Sequence, residues 1–206
     1  MTMKKIAASI MAVACMAACA TSISADTLDN TTMEADVTVD VTTNVPTLSV
    51  TVPTTAEIVI NPYKLTVTTD AGDSTDTVIS AEQEISNASD CAVSITVTGA
   101  VTVPETSSAV VATAALKGTE TTKSVFLYVE GVAGDTAFAD AYAKADNQLA
   151  LSTKSASKTL MTLDATSGTG KVKIDGEAAT APTEAWTTAD TVTVALAYKI
   201  APVAAE

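Results

Sequence analysis

Val, Ile and Leu alternate with Thr and other polar residues along most of this chain. Alternation with a period of two is typical of β-strands that bury one face and expose the other. Thr on the exposed positions keeps a high strand propensity while remaining polar. The clearest runs are Val37–Val41, Leu48–Val52, Val93–Val97, Val125–Val129 and Val192–Ile200. Roughly nine or ten such runs, separated by Pro, Gly, Asn and Asp, predict an all-β fold, an antiparallel β-sandwich that is Ig-like or jelly-roll-like.

One segment departs from this alternation, because Gly134–Leu151 is rich in alanine. Asp135 is placed as an N-cap, and Phe138 and Tyr142 are about one helical turn apart. The pattern predicts a short helix near residues 135–147 that packs across an end or an edge of the sandwich. Its two aromatic side chains are interpreted as a core anchor in preference to a ligand platform.

The N-terminus has the features of a secretory signal peptide. Lys4 and Lys5 precede an apolar run that is too short to span a bilayer, and small polar residues follow that run. The predicted signal peptide is residues 1–25, with cleavage after Ala25. An alternative cleavage before Cys19, in the sequence MAAC, resembles a bacterial lipoprotein box and would attach the protein to a membrane through a lipid. Either cleavage predicts a protein that is secreted and is extracellular or associated with the cell surface.

The rest of the chain is predicted to consist of a flexible lead, residues 26–35, and a single β-sandwich domain, residues 36–206. Cleavage after Ala25 leaves Cys91 as the only cysteine, so no disulfide can form within the mature chain. Cys91 stands at the start of an alternating run, where a small buried thiol is the usual outcome. About 180 mature residues are enough to build a sizeable core without disulfides.

The amino-acid composition excludes several classes of function. The chain contains no histidine, so nucleophile systems and zinc sites that need an imidazole are not available to it. All of its basic residues are lysine, so no guanidinium can bind phosphate, carboxylate or guanine in a bidentate way. The formal net charge of −13 opposes binding to nucleic acid or to anionic lipid. We therefore predict a protein that is not an enzyme, has no cofactor and does not bind nucleic acid.

The sequence Asn61–Lys64, NPYK, raises the question of whether Tyr63 and Lys64 carry out chemistry. Asn-Pro favours a turn, because proline fixes its own φ and biases the residue before it toward extended geometry. We predict a turn between two neighbouring strands, or a kink in one edge strand, with Tyr63 capping the core. Proton transfer by Tyr63 and Lys64 would need a pocket and an acidic partner, and the sequence places neither.

Two further features are candidates for binding. Trp186 is the only tryptophan, and an exposed indole there could stack on a sugar ring, although a hydrophobic plug is the commoner use. Asp70, Asp73 and Asp76 place three carboxylates at a spacing of three residues and are a calcium candidate. The stretch lacks the alternate oxygens and the terminal Glu of an EF-hand loop, which favours a solvated acidic turn. We predict no catalytic residues, with Trp186 and Tyr63 as contacts to a ligand or partner.

Three short motifs follow the signal peptide in the order TVPTTAEIVINP, ISNASDCAVSITVTG and VTVALAYKIAP. This order resembles secreted β-sandwich surface proteins of Gram-positive bacteria, including the WxL-type cell-wall-associated family. The resemblance spans most of the mature chain and implies a β-sandwich at the bacterial cell surface. The family's paired Trp-x-Leu motifs are absent from this sequence, and only Trp186-Thr187-Thr188 and Tyr198-Lys199-Ile200 stand in comparable places. The resemblance therefore does not imply direct attachment to peptidoglycan.

Three functions are compatible with these features. The favoured one is a non-enzymatic secreted or cell-surface protein with a structural or adhesive role, associated with the cell envelope or with cell-wall or extracellular proteins or glycans. The second is a subunit of a self-assembling extracellular fibre, in which the run ADVTVDVTTNV, Ala35–Val45, or the long C-terminal strand adds to a neighbour's sheet edge. The third is a carbohydrate-binding module that exposes Trp186 with Tyr63 or Tyr128, although aromatic residues make up only 3% of the chain.

Overall fold

The computed structural model describes residues 20–25, 37–42, 47–54, 58–69 and 72–203, and this part of the chain contains β-strands and no helix. In chain order the strands are β1 (Ala20–Ala25), β2 (Val37–Thr42), β3 (Val50–Thr51), β4 (Ile58–Ile60), β5 (Val67–Thr69), β6 (Gly72–Ser74), β7 (Val78–Ser80), β8 (Gln83–Asn87), β9 (Val93–Thr102), β10 (Val110–Val111), β11 (Ser124–Ala133), β12 (Gln148–Leu151), β13 (Ala156–Leu163), β14 (Gly168–Ala178) and β15 (Thr193–Pro202). The all-β class predicted from the alternation is confirmed.

The chain divides into two compact units. Strands β1 and β2 lie in the smaller unit and pair antiparallel, with Ala20 opposite Thr42. The larger unit is Leu48–Val203, whereas the predicted single domain begins at residue 36. The predicted flexible lead, residues 26–35, lies outside the described residues.

Two sheets make up most of the larger unit. The six-stranded sheet has the order β10-β11-β14-β8-β3, and β12 also pairs with β11. The three-stranded sheet has the order β13-β9-β15. Two short pairs, β4 with β7 and β5 with β6, complete the described strands of this unit. Every pair is antiparallel except β10 with β11, a short parallel contact, so the predicted antiparallel class is confirmed.

The two central strands, β9 and β11, differ in sequence pattern and in what covers them. Strand β9 alternates buried and half-buried residues, as expected for a strand that packs one face on a core. Strand β11 reads SVFLYVEGVA and is buried along all but its last residue, the pattern of a strand covered on both faces. Val125 and Leu127 belong to the core. On the opposite face, Phe126 and Tyr128 pack against Tyr142, with ring centroids 5.0 and 5.2 Å away.

Both sheets contribute side chains to one buried apolar cluster, which includes residues of β8, β9, β11, β12, β13 and β14. Gly131 in β11 shows how closely the sheets approach each other. A Cβ at Gly131 would lie 2.8 Å from Leu160 Cβ and 2.7 Å from Met161 Cε, both in β13, so glycine is needed at this contact. A shared core is what a β-sandwich requires, and the predicted β-sandwich, Ig-like or jelly-roll-like, stays a prediction.

The predicted helix near residues 135–147 is wrong, because this segment is a loop with turns and bends. Lys144 has a φ of 58°, which is left-handed and interrupts a right-handed helix. The expected pair of Phe138 and Tyr142 on one helix face is therefore replaced by the packing of Tyr142 on β11.

Two buried polar side chains of the sheet explain why this loop is not helical. Gln148 Oε1 accepts a hydrogen bond from Ala143 N at 2.8 Å, and Glu130 Oε1 accepts one from Ala139 N at 3.1 Å. Gln148 Nε2 also donates to Glu130 Oε2 at 3.0 Å, which holds the two side chains in place. The sheet thus satisfies backbone N–H groups that a helix would pair internally, and the alanine-rich composition does not decide the outcome.

Candidate functional site

Asn61 organises the turn that the sequence predicts at residues 61–64. Its backbone N–H donates to Thr77 O at 2.8 Å, and its side-chain Oδ1 accepts from Leu65 N at 3.0 Å. Lys64 N donates to Asn61 O at 3.1 Å, and Lys64 has a left-handed φ of 50°. The predicted turn is confirmed. The strands on either side of it do not pair with each other, since β4 pairs with β7 and β5 with β6.

The two predicted contact residues, Tyr63 and Trp186, lie side by side. The Tyr63 hydroxyl donates to Trp186 O at 3.2 Å. Trp186 is only 8% exposed, and its Nε1 donates to Ala179 O at 2.8 Å, so the indole fills the core as a plug. Tyr63, expected to cap the core, is instead 54% exposed, because Asn61 and Pro62 are the buried residues of this turn.

A pocket of about 630 Å³ opens beside these two aromatic residues, and we name it the Tyr63 pocket. Leu65, which is 64% exposed, lies at this pocket with Tyr63. Exposed apolar side chains beside a concave surface are typical of a contact site for a ligand or partner. The lining residues are Ile58, Val59, Ile60, Asn61, Pro62, Tyr63, Leu65, Trp186, Thr187, Thr188, Asp190, Thr191 and Val192.

A buried ion pair fixes one wall of the Tyr63 pocket. Lys123 Nζ lies 2.8 Å from Asp190 Oδ2, and the two side chains are 8% and 2% exposed. Asp190 also accepts hydrogen bonds from Ser108 Oγ at 2.7 Å and from Thr187 N at 2.8 Å. The carboxylate therefore ties the segment before β10 to the segment that leads into β15. Hydrogen bonds from Lys123 and Ser108 hold the pKa of Asp190 well below its usual range, so the carboxylate stays charged.

A second pocket of about 380 Å³ lies along β15, and we name it the β15 groove. It shares Ile58 and Val192 with the Tyr63 pocket. Half-buried side chains at alternate positions of β15 form one of its walls. The lining residues are Pro53, Thr54, Ile58, Gln83, Ile174, Val192, Thr193, Val194, Leu196 and Tyr198. The groove is thus a channel beside the last strand of its sheet that is lined by both apolar and polar groups.

The outer edge of β15 has no strand paired to it in the part of the chain that the structure describes. Strand β15 is ten residues long and pairs only with β9. At the end of that ladder, Val203 N donates to Ala92 O at 2.8 Å. Because hydrogen-bonded and non-bonded pairs alternate in an antiparallel ladder, every second residue of β15 directs its N–H away from β9. These outward-facing residues are Val194, Leu196, Tyr198 and Ile200.

The lining of the β15 groove and the outward-facing backbone come from the same residues. Val194, Leu196 and Tyr198 direct their N–H groups outward and place their side chains in the groove. An extended segment laid along this edge would therefore meet backbone donors and acceptors together with a channel whose β15 wall carries the apolar side chains of Val194, Leu196 and Tyr198.

Two parts of this site were not predicted from the sequence. Lys123 and Asp190 are 67 residues apart in the chain, and neither belongs to a recognisable motif. The open edge of β15 has one sequence signal, Pro202, which lies two residues after the last alternating run. Proline cannot donate to a ladder and is confined to edge strands, strand starts or bulges, so Pro202 was an indication of an edge.

The calcium candidate is only partly within the described residues, because Asp70 lies outside them. Asp73 Oδ1 accepts from Thr68 Oγ1 at 2.8 Å, and Asp76 Oδ2 accepts from Ser74 Oγ at 2.8 Å. Neighbouring hydroxyl groups thus engage both described carboxylates. Among the described residues, no group of three or more His, Cys, Asp or Glu is placed to hold a metal ion. A calcium site that includes Asp70 stays a prediction.

The remaining candidates occupy different surroundings. Tyr128, a third aromatic candidate for sugar binding, is 3% exposed, and burial together with nearby carboxylates raises its pKa above its usual range. Of the three aromatic residues proposed for a sugar platform, only Tyr63 is exposed. Cys91 is half-buried two residues before β9, and Cys19 lies outside the described residues.

No helix within the described ranges is long and apolar enough to cross a membrane. The resemblance to the WxL-type family stays a prediction, because comparison with protein-family models, curated proteins and solved structures finds no match to this chain.

Proposed function

We propose that this protein is a non-enzymatic secreted or cell-surface structural protein that engages its partner by accepting an extended segment along the outer edge of β15. The observation that carries this proposal is the ten-residue strand β15, which pairs on one side only among the described strands and lies beside the β15 groove. Backbone hydrogen bonds at such an edge provide affinity, and pockets for alternate side chains provide specificity.

The composition supports the non-enzymatic part of the proposal. The sequence has neither histidine nor arginine, so a role that rests on backbone pairing and apolar contact suits it better than acid–base chemistry. The predicted signal peptide supports a place outside the cytoplasm, where structural and adhesive proteins of the cell surface act.

We expect Leu196→Pro to lower the fraction of the protein retained by the envelope of the producing cells by about tenfold. Proline removes one outward N–H of β15 without removing a bond to β9, just as Pro202 does in the same strand. The measurement is co-sedimentation of the protein with isolated envelopes. Leu196→Ala is the matched control, since it loses the same side chain but keeps the N–H, and a smaller loss is expected.

Tyr198→Pro and Tyr198→Ala form a second pair of variants for the same edge. Circular dichroism of each variant separates a local effect from loss of the fold. Equal retention of the proline and alanine variants, with all of them folded, would show that the edge of β15 is not the contact and would reject the proposal.

A carbohydrate-binding role for the Tyr63 pocket is a second candidate, favoured by the exposed ring of Tyr63 at its mouth. We expect Tyr63→Ala to weaken binding to any oligosaccharide retained on a glycan array by about tenfold, while Tyr63→Phe keeps the stacking face. An array on which the wild-type protein retains no oligosaccharide, or on which Tyr63→Ala binds as well as wild type, would remove this candidate.

A further inference from the structure

Strand β2 is a candidate occupant for the outer edge of β15, because the strand that it pairs with lies in the predicted signal peptide. Strand β2, Val37–Thr42, pairs with β1, Ala20–Ala25, and with no other strand among the described residues. Strand β1 lies at the end of the predicted signal peptide, residues 1–25. Cleavage after Ala25 would therefore remove the whole of β1 and leave β2 without the strand that it pairs with.

The sequence of β2 matches what the β15 groove would accept. Val37, Val39 and Val41 alternate with polar residues, so a strand built from them presents an apolar face and a polar face. The six residues of β2 fit within the ten residues of β15. With β2 paired to the outer edge, its valines would enter the groove beside Leu196 and Tyr198.

The charges of the two strands are complementary. Lys199 is the only charged residue of β15, and it is exposed on the face opposite the groove. Asp40 is the only charged residue of β2, on the polar face that would lie beside Lys199. Opposite charges on neighbouring strands attract each other, which favours this pairing over pairing with a basic strand.

We propose that β2 of one copy of this protein adds to the outer edge of β15 of a second copy. This proposal rests on the proposed function, because it names the occupant of the same edge. Donor strand and acceptor edge are different surfaces, so each copy can give one strand and receive another. A contact of this kind generates closed rings, of which a reciprocal pair is the smallest, or open filaments.

The test uses the chain that begins at Asp26, with one variant blocked as donor and one blocked as acceptor. Val39→Asp places a charge on the apolar face of the donor, and Leu196→Pro removes an N–H from the acceptor edge. Thr38→Asp and Leu196→Ala are the matched controls and are expected to reduce assembly less. Mass is measured by light scattering after gel filtration.

We expect the wild-type protein to form multimers, from a reciprocal pair upward, and each blocked variant alone to be monomeric. An equal mixture of the two blocked variants should give dimers and nothing larger, because one donor and one acceptor remain per pair. A wild-type protein that is monomeric at every concentration, or a mixture without dimers, would overturn the inference.

Two further outcomes separate this inference from the proposed function. Envelope retention that falls in Leu196→Pro but not in Val39→Asp would assign the edge to another partner, which overturns the inference and leaves the proposed function. A synthetic peptide of Ala35–Val45 that binds Val39→Asp but not the wild-type monomer would show that each chain fills its own edge, which also overturns it. If both Leu196→Pro and Val39→Asp keep envelope retention and also keep assembly, both proposals are rejected.

Discussion

Gly176→Ala is expected to destabilise the larger unit by about 3 kcal/mol. A Cβ at Gly176 would overlap the backbone carbonyl oxygen of Phe126 and lie 3.1 Å from Leu127 Cα in the paired strand. These are backbone atoms within the long antiparallel ladder of β11 and β14, so they cannot move aside as a flexible side chain would. The change in the free energy of unfolding is measured by urea denaturation.

Gly118→Ala is the control for this substitution. Gly118 has a left-handed φ of 74°, and no atom lies within 4 Å of a Cβ built there, so only backbone strain of about 1 kcal/mol is expected. A loss of stability in Gly176→Ala no greater than that in Gly118→Ala would contradict the close approach of β14 to β11.

Lys123→Met is expected to lower the melting temperature by about 10 °C. The substitution leaves the carboxylate of Asp190 buried without a cation, and removing one partner of a buried ion pair is more harmful than replacing both. The double variant Lys123→Met with Asp190→Leu should therefore recover part of the loss. Differential scanning calorimetry measures both changes.

Lys173→Met provides the comparison on a more exposed pair. Lys173 and Asp175 are 3.0 Å apart, and their side chains are 26% and 23% exposed, so the loss should stay within about 1 kcal/mol. Equal effects of Lys123→Met and Lys173→Met would contradict a structural role for the buried pair.

The same ion pair predicts a loss of stability in acid. Folding lowers the pKa of Asp190, chiefly through the hydrogen bond from Lys123, so the unfolded chain binds a proton more readily than the folded one. The stabilisation is therefore present above the ordinary pKa of an aspartate, about 3.9, and is lost as the pH falls below it. Urea denaturation between neutral pH and pH 3 should show a shallower decline in Asp190→Asn than in the wild-type protein.

The strands could be predicted from the sequence because alternation is a local property. Three of the predicted runs match long strands of the structure: Val93–Val97 lies in β9, Val125–Val129 lies in β11, and Val192–Ile200 matches β15. The sequence alone could not exclude the predicted helix at residues 135–147. Glu130 and Gln148 accept hydrogen bonds from the backbone of this loop, and the pairing of β11 with β12 sets both side chains in place. Local propensity is overridden here by a tertiary contact that the sequence does not encode in any one segment.

The aromatic residues of the candidate site could be predicted from the sequence, whereas the open backbone edge of β15 could not. Tyr63 follows an Asn-Pro turn signal and Trp186 is the only tryptophan, so both could be singled out. The hydrogen bond between Tyr63 and Trp186 depends on strand order, as does the buried pair of Lys123 with Asp190. Which strand lies at the edge of a sheet is likewise a property of the whole topology. Pro202 is the one residue of the sequence that indicates that β15 is an edge strand.

Residue-resolved amide hydrogen exchange by NMR tests most directly whether the edge of β15 is open and accepts a strand. In the dilute protein beginning at Asp26, the outward-facing amides of Val194, Leu196, Tyr198 and Ile200 should exchange faster than those of Ala195, Ala197 and Lys199, which face β9. At concentrations at which the protein assembles, only the outward-facing set should become protected. Equal protection of both sets in the dilute monomer, or no change on assembly, would contradict the account.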